Sequence, residues 1–178
     1  VSLPSRFLVY MPLATGVGVS SRIEDPLERE RLRSLLRDLA SQQSPQRNGG
    51  YIVRTAARSA PLEALHADML YLARLWEHIQ QRARLRAGTL VHEELPLSIR
   101  MLRDELNADM RRALVDSPAE YEAMRNFVGA FMPEAAGRIE LSGGDRPLFD
   151  LHAVDEEIAR ALERKVTLKS GGYIVIDQ

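Results

Sequence analysis

The sequence contains no cysteine, which excludes disulfides, thiolate nucleophiles and thiolate metal sites and fits a reducing compartment such as the cytoplasm. No apolar run approaches the ~18 residues that cross a bilayer as a helix, and no secretory signal is visible. Charge of one sign is not in excess: 24 Lys plus Arg stand against 25 Asp plus Glu, a net charge of −1. Bulk electrostatics therefore do not mark a nucleic-acid binder, and any such contact must come from a local patch or pocket. The usual catalytic signatures are also missing. His92-Glu93-Glu94 opens like a zinc-protease helix, but no second histidine follows at the required spacing. His66, His78, His92 and His152 are scattered and read as surface or packing residues. There is no G-x-S-x-G elbow. Gly16-Val17-Gly18 is too short for a dinucleotide fingerprint, and Lys169-Ser170-Gly171-Gly172 reverses the order of a phosphate-binding loop.

What is present is ordinary globular material. The 178 residues are 45% apolar and 28% charged, enough for one large domain or two small ones with a sizeable core. Phe7 to Met11 and Val17 to Ile23 read as strands. Asp25-Pro26-Leu27-Glu28 has the form of a capping box, and Leu32, Leu35, Leu36 and Leu39 then follow at helical spacing. Gln42 to Gly50 is a polar loop before a strand at Tyr51-Ile52-Val53. The longest predicted helix runs from about Pro61 to Arg86, with Leu65, Met69, Leu72, Trp76 and Ile79 on its apolar face. Arg82, Arg84 and Arg86 crowd its C-terminal end, where the helix dipole favours cations.

A second segment begins near Leu97. Ile99, Leu102 and Leu106 line a helix, Ala113-Leu114-Val115 a strand, and Ser117-Pro118-Ala119-Glu120 a second capping box. The helix it opens has Tyr121, Met124, Val128 and Phe131 on one face. Arg138 to Ser142 reads as a strand, Gly143 to Pro147 as a turn, and Val154, Ile158 and Leu162 as a last helix. Val166-Thr167-Leu168 and Tyr173 to Ile176 follow, the latter patterned as a buried strand. The expectation is an α/β (α+β) fold of two small mixed lobes meeting near residues 88 to 99. The absence of an initial Met before Val1 and the strand at the very end suggest a piece of a longer protein.

Two places carry candidate chemistry. Asp177, at the end of an apolar strand, can present a carboxylate to Mg²⁺, but such a site needs further carboxylates from separate elements. Asp155, Glu156 and Glu157 are near in sequence, yet their helix also needs a solvated face. Arg54-Thr55 is the sharper case. A planar guanidinium grips a phosphate with two parallel charge-assisted hydrogen bonds, and a neighbouring hydroxyl completes the shell. Adjacent side chains on a strand point to opposite faces, so both meet one phosphate only if the strand ends at Arg54 and the chain turns. The bland alternative puts Arg54 in a surface ion pair.

The order of these blocks resembles the ribonuclease E/G family. Phe7-Leu8-Val9-Tyr10-Met11-Pro12 is similar to the opening strand of that family's 5′-sensor region, and Val17-Gly18-Val19-Ser20-Ser21-Arg22-Ile23-Glu24 to the next block. Gly50-Tyr51-Ile52-Val53-Arg54-Thr55-Ala56 is similar to the sensor signature. Pro147-Leu148-Phe149-Asp150, Ala161 to Val166 and Ser170 to Asp177 follow in family order. Glu28 to Leu32 and Gly171-Gly172-Tyr173 look closer to the G than to the E members.

The resemblance implies an Mg²⁺-dependent endoribonuclease that cuts single-stranded, often A/U-rich RNA in rRNA maturation and mRNA decay, and that prefers a 5′ monophosphate. It implies that Arg54 and Thr55 hold that phosphate and that Val9 packs beside the terminal nucleotide. Ser5 stands where the family offers a glycine backbone, so its part would be through its amide. Arg22 supports the pocket, whereas Ser21 replaces an arginine present in other members. The implied division is a 5′-sensor region over residues 1–99, a structural ribonuclease H-like subdomain over 100–165, and the start of a catalytic subdomain over 166–178. An S1 domain would precede Val1, and the Mg²⁺-binding aspartates would follow Gln178. The segment would then be non-catalytic alone, in a homo-oligomeric cytoplasmic enzyme. Two rivals stay open: a ribonuclease H-type metal nuclease using Asp177, and a purely structural module with no phosphate pocket.

Overall fold

Alternation of large apolar side chains along Leu8–Met11 and Gly50–Val53 builds the centre of the molecule. In the computed structural model, which describes residues 1–41, 49–106 and 110–176, these segments form β2 and β4. They pair antiparallel with Leu8 opposite Val53 and Tyr10 opposite Tyr51. Those four side chains are buried, while Val9 and Ile52, also paired, are half-buried. β1 (Leu3–Pro4) adds antiparallel to β2, and β3 (Val17–Val19) adds parallel to β4, giving the order β1-β2-β4-β3. The strand expected to reach Ile23 stops at Val19, because Ser20 donates its amide to Val53 O and the chain then turns so that Ile23 N meets Ser20 O.

Two helices supply the apolar cover. α1 (Pro26–Ser41) buries Leu32, Leu36 and Leu39, as its spacing predicts. Its capping box is only half formed. Asp25 Oδ1 accepts from Leu27 N at 2.9 Å, but Glu28 turns away to Arg31 and Ser59. α2 (Leu62–Ala83) buries Leu65, Met69, Leu72, Tyr71 and Leu75. Trp76 stands edge-on to Tyr10, whose ring lies 5.0 Å from that of Tyr51. Gly49 approaches Tyr10 so closely that a Cβ would fall on the ring, so this position needs glycine. At the far end of α2, Arg82 bonds Leu90 O through both Nε and Nη2, so it ties down the following loop. The polar loop expected at 42–50 falls mostly outside the described residues; Gly50 itself begins β4.

The second segment is a β-α-β unit. α3 (Leu97–Glu105) buries Ile99 and Leu102, β5 (Ala113–Val115) pairs parallel with β6 (Ile139–Leu141), and α4 (Pro118–Phe131) connects them. Ser117 Oγ caps Glu120 N at 3.4 Å, while the Glu120 carboxylate accepts from Ser98 Oγ instead of returning to the cap. The expected face of α4 turns inward: Val128 is buried, Tyr121, Met124 and Phe131 pack half-buried against the core, and Phe127 joins them at its edge. Phe127 and Phe131 meet Tyr71 at 6.1 Å each, and Arg74 donates to Phe131 O at 2.8 Å, so α2 joins both segments. The described chain is thus mixed α/β, as expected.

The last elements depart from expectation. α5 (Leu148–Leu151), α6 (Val154–Ala161) and the antiparallel hairpin β7 (Lys165–Thr167) with β8 (Tyr173–Val175) bury no residue. The closing strand patterned as buried is exposed, with Ile174 at 51%, and Leu162 on the α6 face is 82% exposed. Two strands make a single layer, and no residue of the pair is buried.

Burial decides the expected cost of truncation. Leu72→Ala, at a fully buried site, should lower unfolding stability by about 2–5 kcal/mol. Ile158→Ala on the exposed α6 should change it by less than about 0.5 kcal/mol. Urea unfolding of the two variants measures the difference.

Candidate functional site

β4 ends at Val53, Arg54 stays extended (φ −84°, ψ 164°), and residues 55–57 make a single 3₁₀ turn. This is the local geometry that the pairing of Arg54 with Thr55 requires. The turn closes with Ala57 N on Arg54 O and Arg58 N on Thr55 O. Beside it the chain leaving β3 makes the second turn, 20–23. Between the two lies an open cleft of about 580 Å³, lined by Val19 to Arg22 and Ile52 to Ala56. The lining carries two guanidinium groups (Arg22, Arg54), three hydroxyls (Ser20, Ser21, Thr55) and no carboxylate. Its chemistry is that of an anion site.

Arg54 makes no ion pair among the described residues. Its Nη1 donates to Ser5 O and, weakly at 3.5 Å, to Arg6 O, and its backbone amide donates to Phe7 O at 2.8 Å. No described group bonds Nε or Nη2, so one edge of the guanidinium fork is open. The Arg22 side chain likewise has no hydrogen bond or ion pair among the described residues. Val9 sits on the same sheet face as its partner Ile52, which lines the cleft. Ser5 is fully buried and does not line the cleft. Its amide donates to Leu8 O at 2.8 Å, so the backbone group of Ser5 that meets Arg54 is the carbonyl.

Both walls of the cleft are held from α1. Arg29 Nη1 donates to Ser20 O at 2.7 Å and to Ile23 O at 3.1 Å, fixing the turn that carries Ser21 and Arg22. Glu28 accepts from Arg31 Nε at 2.6 Å, from Arg31 Nη2 at 2.8 Å and from Ser59 N at 2.8 Å, and Arg31 Nη2 reaches Ala60 O at 3.2 Å. That clasp stabilises Ser59 in a left-handed conformation (φ 59°) just after the 3₁₀ turn. The hydrogen bond from Arg31 is the chief cause that holds the Glu28 carboxyl down to about 2, aided by the Ser59 amide.

A second support lies under the 5–8 turn. Asp68, on the buried face of α2, accepts at Oδ2 from Ser5 Oγ (2.5 Å), Phe7 N (2.8 Å) and Leu8 N (2.9 Å). Burial pushes its carboxyl up from the ordinary value, opposed by those three donors and by Arg103. Sequence reading missed Asp68, Arg29 and the Glu28–Arg31 clasp. The signal for Asp68 was there: a carboxylate between Leu65 and Met69 on an apolar stripe must find donors or not be buried.

Metal chemistry finds no such frame. No group of three or more His, Asp or Glu able to hold a metal ion occurs among the described residues. Asp155 to Glu157 lie exposed in the first turn of α6, with Glu157 paired to Arg160 at 2.7 Å. Asp177 lies outside the described residues. Asp155, Glu156 and Glu157, exposed on one helical turn, do not by themselves make a Mg²⁺ site.

The sequence model of the ribonuclease E/G family matches residues 2–178. The chain belongs to the ribonuclease E/G family. It is similar, at 45% identity over its full length, to ribonuclease G of Salmonella typhimurium (strain SL1344), covering 36% of that protein. Ribonuclease G of Escherichia coli (strain K12) is related to the same degree and coverage. Ribonuclease E of Escherichia coli (strain K12) is 37% identical over 99% of the chain, which covers 16% of that protein. The chain therefore spans about a third of the length of the ribonuclease G relatives. Among the described residues, no helix is long and apolar enough to cross a membrane.

The clasp has a pH signature. The folded pKa of Glu28 lies below its ordinary 4.5, so the stability it contributes is complete above that value and is lost as pH falls towards 2. Glu28→Gln should flatten this part of the acid limb, read as melting temperature between pH 5 and 2.

Proposed function

We propose that this chain is the part of an Mg²⁺-dependent, single-strand-specific endoribonuclease that senses a 5′ monophosphate on RNA. The observation that carries the reading is the cleft with two arginines, three hydroxyls and no carboxylate. The open edge of Arg54 takes two phosphate oxygens, the Thr55 hydroxyl takes a third contact, and Arg22 adds a second positive charge from the opposite wall. Val9 packs beside the terminal nucleotide. Ser5 contributes its carbonyl, which aims Arg54, rather than its amide. In this reading residues 1–99 are the sensor region, 100–165 a structural ribonuclease H-like subdomain, and 166–178 the beginning of the catalytic part. Mg²⁺ and the cleavage chemistry belong to residues outside the described ones, in a homo-oligomeric cytoplasmic protein acting in rRNA maturation and mRNA decay. The segment binds and orients RNA and does not cut it alone.

A charge-assisted hydrogen bond to phosphate contributes about 1.5–3 kcal/mol, so one pocket binds a 5′ end weakly. One observation favours a different reading. Because Arg54 Nη1 already holds Ser5 O, Arg54 also serves as a tie between β1 and β4, and a purely structural role needs nothing more.

Fluorescence anisotropy separates the two, using one short A/U-rich RNA with either a 5′ monophosphate or a 5′ hydroxyl, at low salt. The sensor reading expects tighter binding of the monophosphate, with the preference lowered about ten- to a hundredfold by Arg54→Ala. Equal binding of both ends by the unsubstituted chain, with a lower melting temperature for the variant, would leave Arg54 as a structural tie.

A further inference from the structure

Ser5 and Leu8 close a two-residue hairpin turn between β1 and β2. Such a closing pair ordinarily exchanges two bonds, each residue's N–H meeting the other's carbonyl. Here only one of the two is made. Ser5 N reaches Leu8 O at 2.8 Å, but Leu8 N is drawn to Asp68 Oδ2 at 2.9 Å. The Ser5 carbonyl is thereby released from the hairpin, and Arg54 Nη1 occupies it. The adjoining residue Phe7 is held on both sides. Its N–H points inward to Asp68 at 2.8 Å, and its carbonyl accepts the Arg54 amide at 2.8 Å.

We propose that Asp68 is the positioning residue of the phosphate site: by taking the Leu8, Phe7 and Ser5 donors, its carboxylate frees and aims the carbonyls that orient Arg54. The inference rests on the sensor reading for its function, but its geometry is independent of RNA. Asp68 touches neither the cleft nor a ligand, because it is nine-tenths buried beneath the turn. The acceptor must be strong. A neutral acceptor leaves Leu8 N–H to compete with Arg54 for Ser5 O, since charge-assisted bonds are roughly twice as strong as neutral ones. Arg103 adds a cation on the same side, its Nη1 3.4 Å from Pro4 O and its Nε on Asp104 Oδ1 at 2.7 Å.

The test uses the whole chain as wild type, Asp68→Asn, Asp68→Ala and Arg54→Ala. Asp68→Asn keeps the volume, so it remains folded if Asp68→Ala does not. One readout is the ratio of affinities for the 5′-monophosphate and 5′-hydroxyl RNAs. The other is the ¹H–¹⁵N NMR signals of the Arg54 amide and guanidinium without RNA. The expectation is that Asp68→Asn shifts the Arg54 signals and lowers the affinity ratio about tenfold, while affinity for the 5′-hydroxyl RNA stays unchanged. Unmoved Arg54 signals in folded Asp68→Asn overturn the proposal whatever the RNA does. A ratio that Arg54→Ala abolishes and Asp68→Asn preserves overturns it as well. Shifted signals with no preference in the wild type uphold the link from Asp68 to Arg54 and refute the sensor reading instead.

Discussion

Because side chains alternate along a strand, the register that pairs Leu8 with Val53 and Tyr10 with Tyr51 determines the use of both sheet faces. It sends four large side chains into the core against α1 and α2 and turns Val9 and Ile52 the other way. A slip of one residue would bury Val9 and Ile52 and leave two tyrosines outside. The same register ends β4 beside the 5–8 turn, so Arg54 emerges where the Phe7 carbonyl can take its amide. The cleft is therefore a consequence of strand pairing, and the core residues that fix the register also fix where Arg54 emerges.

The polar supports act on geometry more than on stability. Exposed ion pairs contribute about 0–1 kcal/mol, so the Glu28–Arg31 pair adds little to the folding free energy. Its value is that each partner also holds the backbone, Glu28 at Ser59 N and Arg31 at Ala60 O. Arg29 does the same for Ser20 and Ile23. One turn of α1 thus braces both turns that flank the cleft, on top of the β3–β4 pairing beneath them.

The sequence made the regular elements legible because their causes are periodic. Leu32, Leu36 and Leu39 on α1, and Leu65, Met69 and Leu72 on α2, are buried where spacing puts them. The Arg54-Thr55 turn was also readable, as a strand followed by small residues and Pro61. What escaped were bonds between elements far apart in the chain. Glu28 and Glu120 fit capping boxes by spacing, yet Glu28 bonds Arg31 one turn on and Ser59 N 31 residues away, and Glu120 bonds Ser98. Asp68 gave a signal of the opposite kind, a misplaced charge whose donors lie 60 or more residues away. In β8 the apolar pattern was read as a buried strand, yet its residues are exposed, because a pattern fixes which residues are apolar and not what lies against them.

A net charge of −1 does not exclude the proposed anion site, because the relevant field is local. At physiological salt the screening length is about 8 Å, so charges farther away than that contribute little at the cleft. What counts is the lining, where Arg22 and Arg54 face no carboxylate. The arrangement of Arg54 narrows the ligand further. With Nη1 committed to Ser5 O, only one edge of the guanidinium remains, and one edge matches the two oxygens of a single phosphoryl group. The tie to Ser5 O therefore also limits what the arginine could hold under the proposed reading.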